Sequence, residues 1–441
     1  MSRSVLSVGI PAVGHLNPLL RQAVELRRRG WRVALASTTE MREHVAREFP
    51  SVRFVDLGAH PASLAGNTRL QASVSARTSF LSGTMDIMRA VNALWPTMFD
   101  GLVDEIRRDR PDVLVVDLFT VAGMDAAEVH GLPYVVNNPD LLPAISVDLL
   151  PAAGDVPLLF SGRSISQVTT LDRLLNPARR ALASTVYDLT LGADLNRRRR
   201  ARGLKPRRMT RRLARVLIMT NSAFGLEYSR PLPPLLQMVG PMLDEPGANP
   251  LPDGLRGWLD SGPPVVFVNL GTLARPDADL VGRIAQALDT PEFRALWVLR
   301  DTLPTSLPAS VRIERWVSSQ FEVLAHPNVR VFVSHCGINS VHESLFAETP
   351  IVGLPMLADQ RDMAIRVEDA GAGISLDKQT LSPAMLRQAI ATVLHEPRFV
   401  RNIAPIRSSF VLAGGVRRAA DLIEHAAAVG VDHYAAGWRA G

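Results

Sequence analysis

The stretch HCGINSVHESLFAETPIVGLPMLADQ, residues 335–360, gathers side chains whose order describes a chemistry. An apolar run, Val329 to Val333, predicts a buried parallel strand, and a helix is expected to start near Ile338 or Asn339. Gly337 allows close backbone approach, so the first-turn N–H groups face whatever sits above the strand end. That is a ready site for a diphosphate. Asn339 and Ser340 add side-chain donors, and His335 adds another. Glu343 follows Asn339 by one turn on the same face, where a carboxylate accepts from two vicinal hydroxyls. Asp359 and Gln360 come after a second strand-like run, Ile351 to Leu354, and suit a polyol. A diphosphate cradle, a diol acceptor and a polyol binder in this order fit a nucleotide sugar.

A second candidate centre lies near the start of the chain. Val5 to Ile10 predicts a first buried strand, with the loop Pro11 to Pro18 after it, and His15 sits in that loop. A histidine at a strand's carboxyl end in an α/β sheet lies on the rim where ligands bind. Its ordinary pKa near 6.5 suits a general base at neutral pH. Such a base needs a partner to orient its other nitrogen, and a carboxylate at another strand end would serve. Asp117, closing the strand Val113 to Val116, is the best placed. Asp112 precedes that strand, and Asp125 lies inside the following helix.

The elements that must hold these residues alternate. Strand and helix patterns follow one another over residues 1–140 and again from Val265 to about residue 396, which indicates doubly wound parallel sheets. Helices are expected at Leu19 to Arg29, about Ala122 to His130, Leu280 to Leu288 and roughly Arg417 to Ala428. Another strand is expected within 213–219. The segment 230–257 holds seven prolines and predicts an interdomain linker. The domains are therefore expected at 1–229 and 258–410, with 411–441 a closing helix and tail.

At 441 residues the chain has room for two cores, and 47% hydrophobic with 21% charged residues fits a soluble globular protein. No apolar run approaches the ~20 residues of a membrane span, and the first residues do not resemble a signal peptide. The single cysteine, Cys336, excludes an internal disulfide and fits a reducing cytoplasm. The net charge of +6 is localised: residues 197–215 carry eleven basic and no acidic residues, leaving −5 for the remainder. A solvated face is the simpler expectation for this segment, and peripheral contact with an anionic membrane the sharper one. No aromatic residues interleave its arginines, so nucleic acid is not an expected partner.

The residues of both centres resemble family 1 glycosyltransferases, the UDP-sugar-dependent group. The resemblance rests on His335-Cys336-Gly337-Ile338-Asn339-Ser340, Glu343, Pro350 and Asp359-Gln360, and upstream on Gln320 to Pro327. It extends to Gly14-His15-Leu16-Asn17-Pro18 and to Asp117 within Val115-Val116-Asp117-Leu118-Phe119. It implies a GT-B fold, two Rossmann-like doubly wound α/β domains facing a central cleft, with the last helix returning to the N-terminal domain. It also implies inverting transfer with His15 and Asp117 as base and partner. Thr272 matches the family's phosphate-contacting turn and Gln320 its donor-binding Gln.

The family's uracil-stacking Trp precedes that Gln by a fixed spacing, whereas Trp316-Val317-Ser318-Ser319-Gln320 carries one extra residue. Trp316 or Val317 therefore takes the base. Glu343, with a ribose diol to read, favours UDP over dTDP, and Asp359 with Gln360 favours a well-hydroxylated hexose, glucose first. No metal or other cofactor is expected. Asp277-Ala278-Asp279 sits where helix-capping carboxylates belong. In the family the acceptor pocket is lined by N-terminal segments, here 80–99, with Phe80, Met85, Met88 and Trp95, and the Leu141 to Leu175 stretch. At helical spacing these side chains would equally suit a core. The implied acceptor is an apolar hydroxylated small molecule such as a polyketide, macrolide, terpenoid or lipid. Two other functions fit the same motifs: a nucleotide-sugar 2-epimerase, and a non-catalytic nucleotide-sugar-binding partner protein. A dinucleotide oxidoreductase does not, because no G-x-G-x-x-G follows either first strand.

Overall fold

The computed structural model describes residues 2–60, 80–144, 154–208, 212–271, 276–300, 307–356 and 359–436. Two wholly parallel sheets organise them. The first contains β1 (Ser4–Val8), β2 (Arg32–Ser37), β3 (Arg53–Asp56), β4 (Val113–Asp117), β5 (Tyr134–Asn138), β6 (Ile218–Thr220) and β7 (Leu236–Met238), in the order β3-β2-β1-β4-β5-β6-β7. The second contains β8 (Val265–Asn269), β9 (Arg294–Val298), β10 (Val311–Glu314), β11 (Val329–Ser334), β12 (Ile351–Gly353) and β13 (Gly373–Ser375), in the order β10-β9-β8-β11-β12-β13. The helices that bear on function are α1 (Val13–Arg28), α2 (Phe80–Arg108), α3 (Val121–Val129), α4 (Thr170–Tyr187), α5 (Ala193–Arg200), α6 (Ile338–Phe346), α7 (Gln360–Asp369) and α8 (Gly415–Ala436).

Strand composition follows from burial on both faces. β1 and β4 are buried at every position, as parallel strands covered by helices must be. Alternate side chains then serve opposite layers. Leu6, Val8, Leu114 and Val116 pack with residues of α2 and α3. Val5, Val33, Leu35 and Val113 pack with residues of α1 and α8. The second sheet divides likewise, Val266 and Val268 to one core and Val265 and Phe267 to the other. Strand order reverses between β1 and β4 and between β8 and β11. In open parallel sheets the crevice at such a reversal, at the strands' carboxyl ends, is where ligands bind.

Several sequence expectations shift. The expected linker 230–257 contributes β7 to the N-terminal sheet, Leu236–Met238 pairing with β6. Three residues between prolines are too few to display a strand period. Of the strand expected over 213–219 only Ile218 and Met219 are extended, and the strand runs on to Thr220. The expected loop Pro11 to Pro18 is already helical from Val13, with Pro18 inside the helix, so His15 sits in its first turn.

The basic segment is not a uniformly solvated face. Arg199 and Arg212 are buried, at 4% and 5% exposure, and both pair with Asp125 of α3. Arg212 also meets Glu128 at 2.7 Å. Arg202 pairs with Asp100, and Arg207 with Glu128. Much of this charge is thus neutralised by carboxylates far away in sequence.

Candidate active site

At the β1–β4 reversal, His15 and Asp117 meet. Val8 of β1 lies in register with Val116 of β4, which brings the first turn of α1 beside the strand end carrying Asp117. His15 Nδ1 is 2.8 Å from Asp117 Oδ1. The other carboxylate oxygen accepts from the Phe119 N–H at 3.1 Å and the Thr120 hydroxyl at 3.0 Å. Asp117 is fully buried while the His15 side chain keeps 22% exposure, so Nε2 is the nitrogen left for a reactant. Burial is the strongest single influence on His15 and lowers its pKa. The Asp117 charge and hydrogen bond, with the Asp359 charge, outweigh it and leave the net shift upward.

At the β8–β11 reversal, the chain leaves β11 through Cys336, whose φ of +61° is a costly left-handed conformation for a non-glycine residue. It then enters α6 with Gly337 as N-cap. That cap supplies no side-chain hydrogen bond, so first-turn N–H groups of α6 stay available to an anion. His335 is wedged between two glycines. A Cβ on Gly271 would lie 2.5 Å from its Nε2, and one on Gly337 2.4 Å. Burial pushes the His335 pKa down to about 4, against a smaller upward pull from the Asn269 backbone, so the ring is neutral at pH 7. Its Nδ1 is buried with no hydrogen-bond partner among the described residues. Thr272 lies outside the described residues.

Glu343 sits on α6 with its carboxylate held by Gln320 Nε2 at 2.6 Å. Gln320 also donates to Ser340 Oγ at 3.0 Å and accepts from Asn269 Nδ2 at 2.6 Å. One polar chain therefore links β8, the 316–320 loop and α6. The N-terminal domain reaches into it twice. Arg21 of α1, bidentate to Asp244 at 3.0 and 2.8 Å, lies 3.5 Å from Glu343 Oε1. Asn339 Nδ2 donates to the Gly14 carbonyl at 2.8 Å. That carbonyl is free because Pro18, four residues on, has no N–H to bond it.

A family model described as UDP-glucoronosyl and UDP-glucosyl transferase matches residues 100–410. The chain belongs to this family. It is 30% identical to 4'-demethylrebeccamycin synthase of Lentzea aerocolonigenes, over 96% of this chain and 99% of that protein. It is 27% identical to rat (Rattus norvegicus) 2-hydroxyacylsphingosine 1-beta-galactosyltransferase over 68% of this chain. The chain spans only about half of that relative, 56% of its length. Among solved structures, the glycotransferase of kitacinnamycin superposes with a TM-score of 0.67 at 20% identity, covering 96% of this chain and 99% of that one. The fold is therefore GT-B, two facing parallel-sheet α/β domains.

Within this fold, the remaining candidate residues separate. Trp316 stands at the cleft, 48% exposed, with the Arg47 guanidinium of the opposite domain 5.8 Å from its ring centre. Val317 instead packs against the C-terminal core. Asp277 caps the helix that follows it, accepting from the Leu280 N–H at 2.8 Å. Gln360 opens α7 and its Oε1 accepts from the Met356 N–H at 2.9 Å. Burial raises the pKa of Asp359, and it faces Asp140, whose pKa burial and the Asp359 charge raise further.

On the acceptor side the expected residues divide. Trp95 is 2% exposed in the N-terminal core, stacked on Phe99 at 4.8 Å with its N–H on Asp125; it lines no cleft. Met88 packs with Ile10, Ala12, Val91 and Phe119, and Phe119 meets the His15 ring edge-on at 5.4 Å. Met85 is half-buried on the same helix, and the Phe80 side chain lies outside what is described. Leu171, Leu174 and Leu175, at the end of the second expected lining stretch, face outward. Sequence inspection missed Arg21, Phe119 and Asp140. Phe119 and Asp140 each lie two residues past a strand's carboxyl end, which was the one available signal; Arg21, in the middle of α1, offered none.

Proposed function

We propose that this family member transfers a hexose, glucose first, from a UDP-sugar to a hydroxyl of an apolar small molecule with inversion at the anomeric carbon. The observation that carries the proposal is the 2.8 Å His15–Asp117 pair on one domain, opposite an uncapped helix N-terminus on the other. His15 Nε2 takes the proton of the acceptor hydroxyl as its oxygen attacks the anomeric carbon. Asp117 stabilises the imidazolium that forms. UDP leaves from the opposite face, and the N–H groups at the start of α6 meet the charge developing on its β-phosphate. Met88 and Phe119, half-buried over Ile10 and Ala12, give the acceptor an apolar wall beside the base. Trp316 offers the uracil a stacking surface, and Glu343 accepts from the ribose hydroxyls once Gln320 and Arg21 yield.

The test is direct. UDP-glucose and UDP are expected to raise the melting temperature more than dTDP does. With UDP-glucose and a panel of apolar alcohols, the product should carry the β linkage and form equally well in the presence of EDTA. Conversion of UDP-N-acetylglucosamine to its 2-epimer without any acceptor would overturn the proposal.

Glu343→Ala probes the donor end. A hydrogen bond to a charged group contributes about 1.5–3 kcal/mol, so UDP affinity should fall roughly 10–100-fold by calorimetry. dTDP, which has one ribose hydroxyl fewer, should lose less. Arg21 keeps its bidentate hold on Asp244, so the fold should survive. Equal losses for both nucleotides would mean that Glu343 does not read the diol.

A further inference from the structure

Helix α4 is turned inside out. A helix on a globular domain normally faces its apolar stripe to the core. Here the inward positions are polar: Asp172 and Asn176 are buried, at 7% and 3% exposure. Asp172 is held by Arg163, Arg179 and Thr169. Asn176 and Arg180 donate to the backbone carbonyls of Gly154 and Val156. The apolar positions look out. Leu171, Leu174, Leu182 and Leu189 are 62%, 73%, 64% and 73% exposed, with Leu175 and Val186 at 39% and 48%. They recur at helical spacing along α4 and the π-helical turn Asp188–Gly192 that continues it, Leu175, Leu182 and Leu189 seven residues apart, and form a stripe roughly 27 Å long at 1.5 Å per residue. A continuous exposed stripe of this size marks an interaction surface.

Charge decides among occupants. Residues 163–215 carry fifteen basic and three acidic residues, net +12, against −6 for the rest of the chain. Local carboxylates neutralise part of this, but Arg173 and Arg200 form no ion pair with any described residue. A second copy would set positive flank against positive flank. A partner that is apolar in the middle and anionic at the edge matches both features at once. We propose that this leucine face, carried by the basic region 163–215, docks on the surface of an anionic lipid bilayer. The helix would lie in the interface plane with its leucines among the upper acyl chains. No helix among the described residues is long and apolar enough to cross a membrane, so the contact is peripheral.

The test is co-sedimentation of the full chain with vesicles of phosphatidylcholine plus phosphatidylglycerol, and with phosphatidylcholine alone. Binding is expected only with phosphatidylglycerol, and its release at about 1 M salt, where the Debye length is about 3 Å. The triple variant Leu174→Gln, Leu182→Gln, Leu189→Gln should bind at least about tenfold more weakly, with the melting temperature and the UDP-induced shift unchanged. Arg173→Gln with Arg200→Gln should weaken binding at low salt and leave the leucine dependence intact. Three outcomes would overturn the proposal: no phosphatidylglycerol-dependent sedimentation, a triple variant that binds like the parent, or a dimer by light scattering that the triple variant dissolves.

Discussion

His15→Ala is expected to lower kcat on an aliphatic alcohol by about 10²–10⁴-fold, the usual share of a general base. Nucleotide affinity should change little. His15 belongs to the N-terminal sheet's crevice, while the phosphate cradle is built at β8 and β11 on the other domain. A phenolic acceptor, already acidic, should lose less than an alcohol, and steady-state kinetics on the two acceptors would separate base catalysis from lost packing. The pH profile carries the same assignment. Burial lowers the His15 pKa, yet the charge and hydrogen bond of Asp117 and the charge of Asp359 more than reverse it. The base works only when unprotonated, so kcat/KM should fall as pH drops through a value above the ordinary 6.5. Asp117→Asn removes the main upward influence, so the acid limb should move to lower pH while the plateau falls. An alanine variant with near-parental turnover on an alcohol would refute the assignment.

The second large effect is structural. Asp125→Ala should destabilise the N-terminal domain by about 3–5 kcal/mol, the range for stranding one side of a buried ion pair. Asp125 is 1% exposed and holds the guanidiniums of Arg199 and Arg212 together with the Trp95 N–H. Its removal leaves buried positive charge with only Glu128, 2.7 Å from Arg212, to compensate. Urea unfolding followed by tryptophan fluorescence would measure the loss. A change under ~1 kcal/mol would mean that Glu128 and solvent suffice, since exposed pairs contribute no more than that. Arg197→Gln, an exposed pair with Asp194, should by contrast fall within that small range.

These two sites differ in how far they could be read from sequence. The proposed donor cradle is written in one contiguous stretch, because a single strand–turn–helix unit carries His335, Gly337, Asn339, Ser340 and Glu343. The proposed base and its partner were legible for a related reason: Asp117 ends β4, His15 opens the helix after β1, and a doubly wound sheet brings strand ends to one rim. Partners supplied by tertiary packing were not legible. Arg21 reaches Glu343, and Asp140 faces Asp359, across separations that no local period encodes. The run of arginines at 197–215 looked like a surface feature because nothing in it announces Asp125 and Glu128 as partners. Trp95 and Met88 share one helix and similar chemistry, yet one is core and the other stands beside the base. Helical spacing alone does not say which neighbours the helix will meet. The outward leucines of α4 are the sharpest case: their period is regular, but the usual inference from apolar stripe to core points the wrong way.

The placement of α8 bears on how the protein is made. Ala419, Ala420, Ile423 and Ala426 of α8 share a core with Leu16, Leu19, Leu20 and Leu26 of α1. Arg29 grips Asp421 at 2.6 Å and Glu424 at 2.9 Å, while Trp31 donates to Glu424 at 3.0 Å. The last strand of the N-terminal sheet, β7, ends at Met238. A ribosome must therefore add roughly 180 further residues before the helix that covers this sheet exists, a delay of about 10–40 s at 5–20 residues per second. During that interval the nascent N-terminal domain has all its strands and one apolar layer covered by α1 but lacking α8, while the second domain can complete its own core. The two halves should thus mature out of chain order, and the first domain translated should be the one that waits on chaperones.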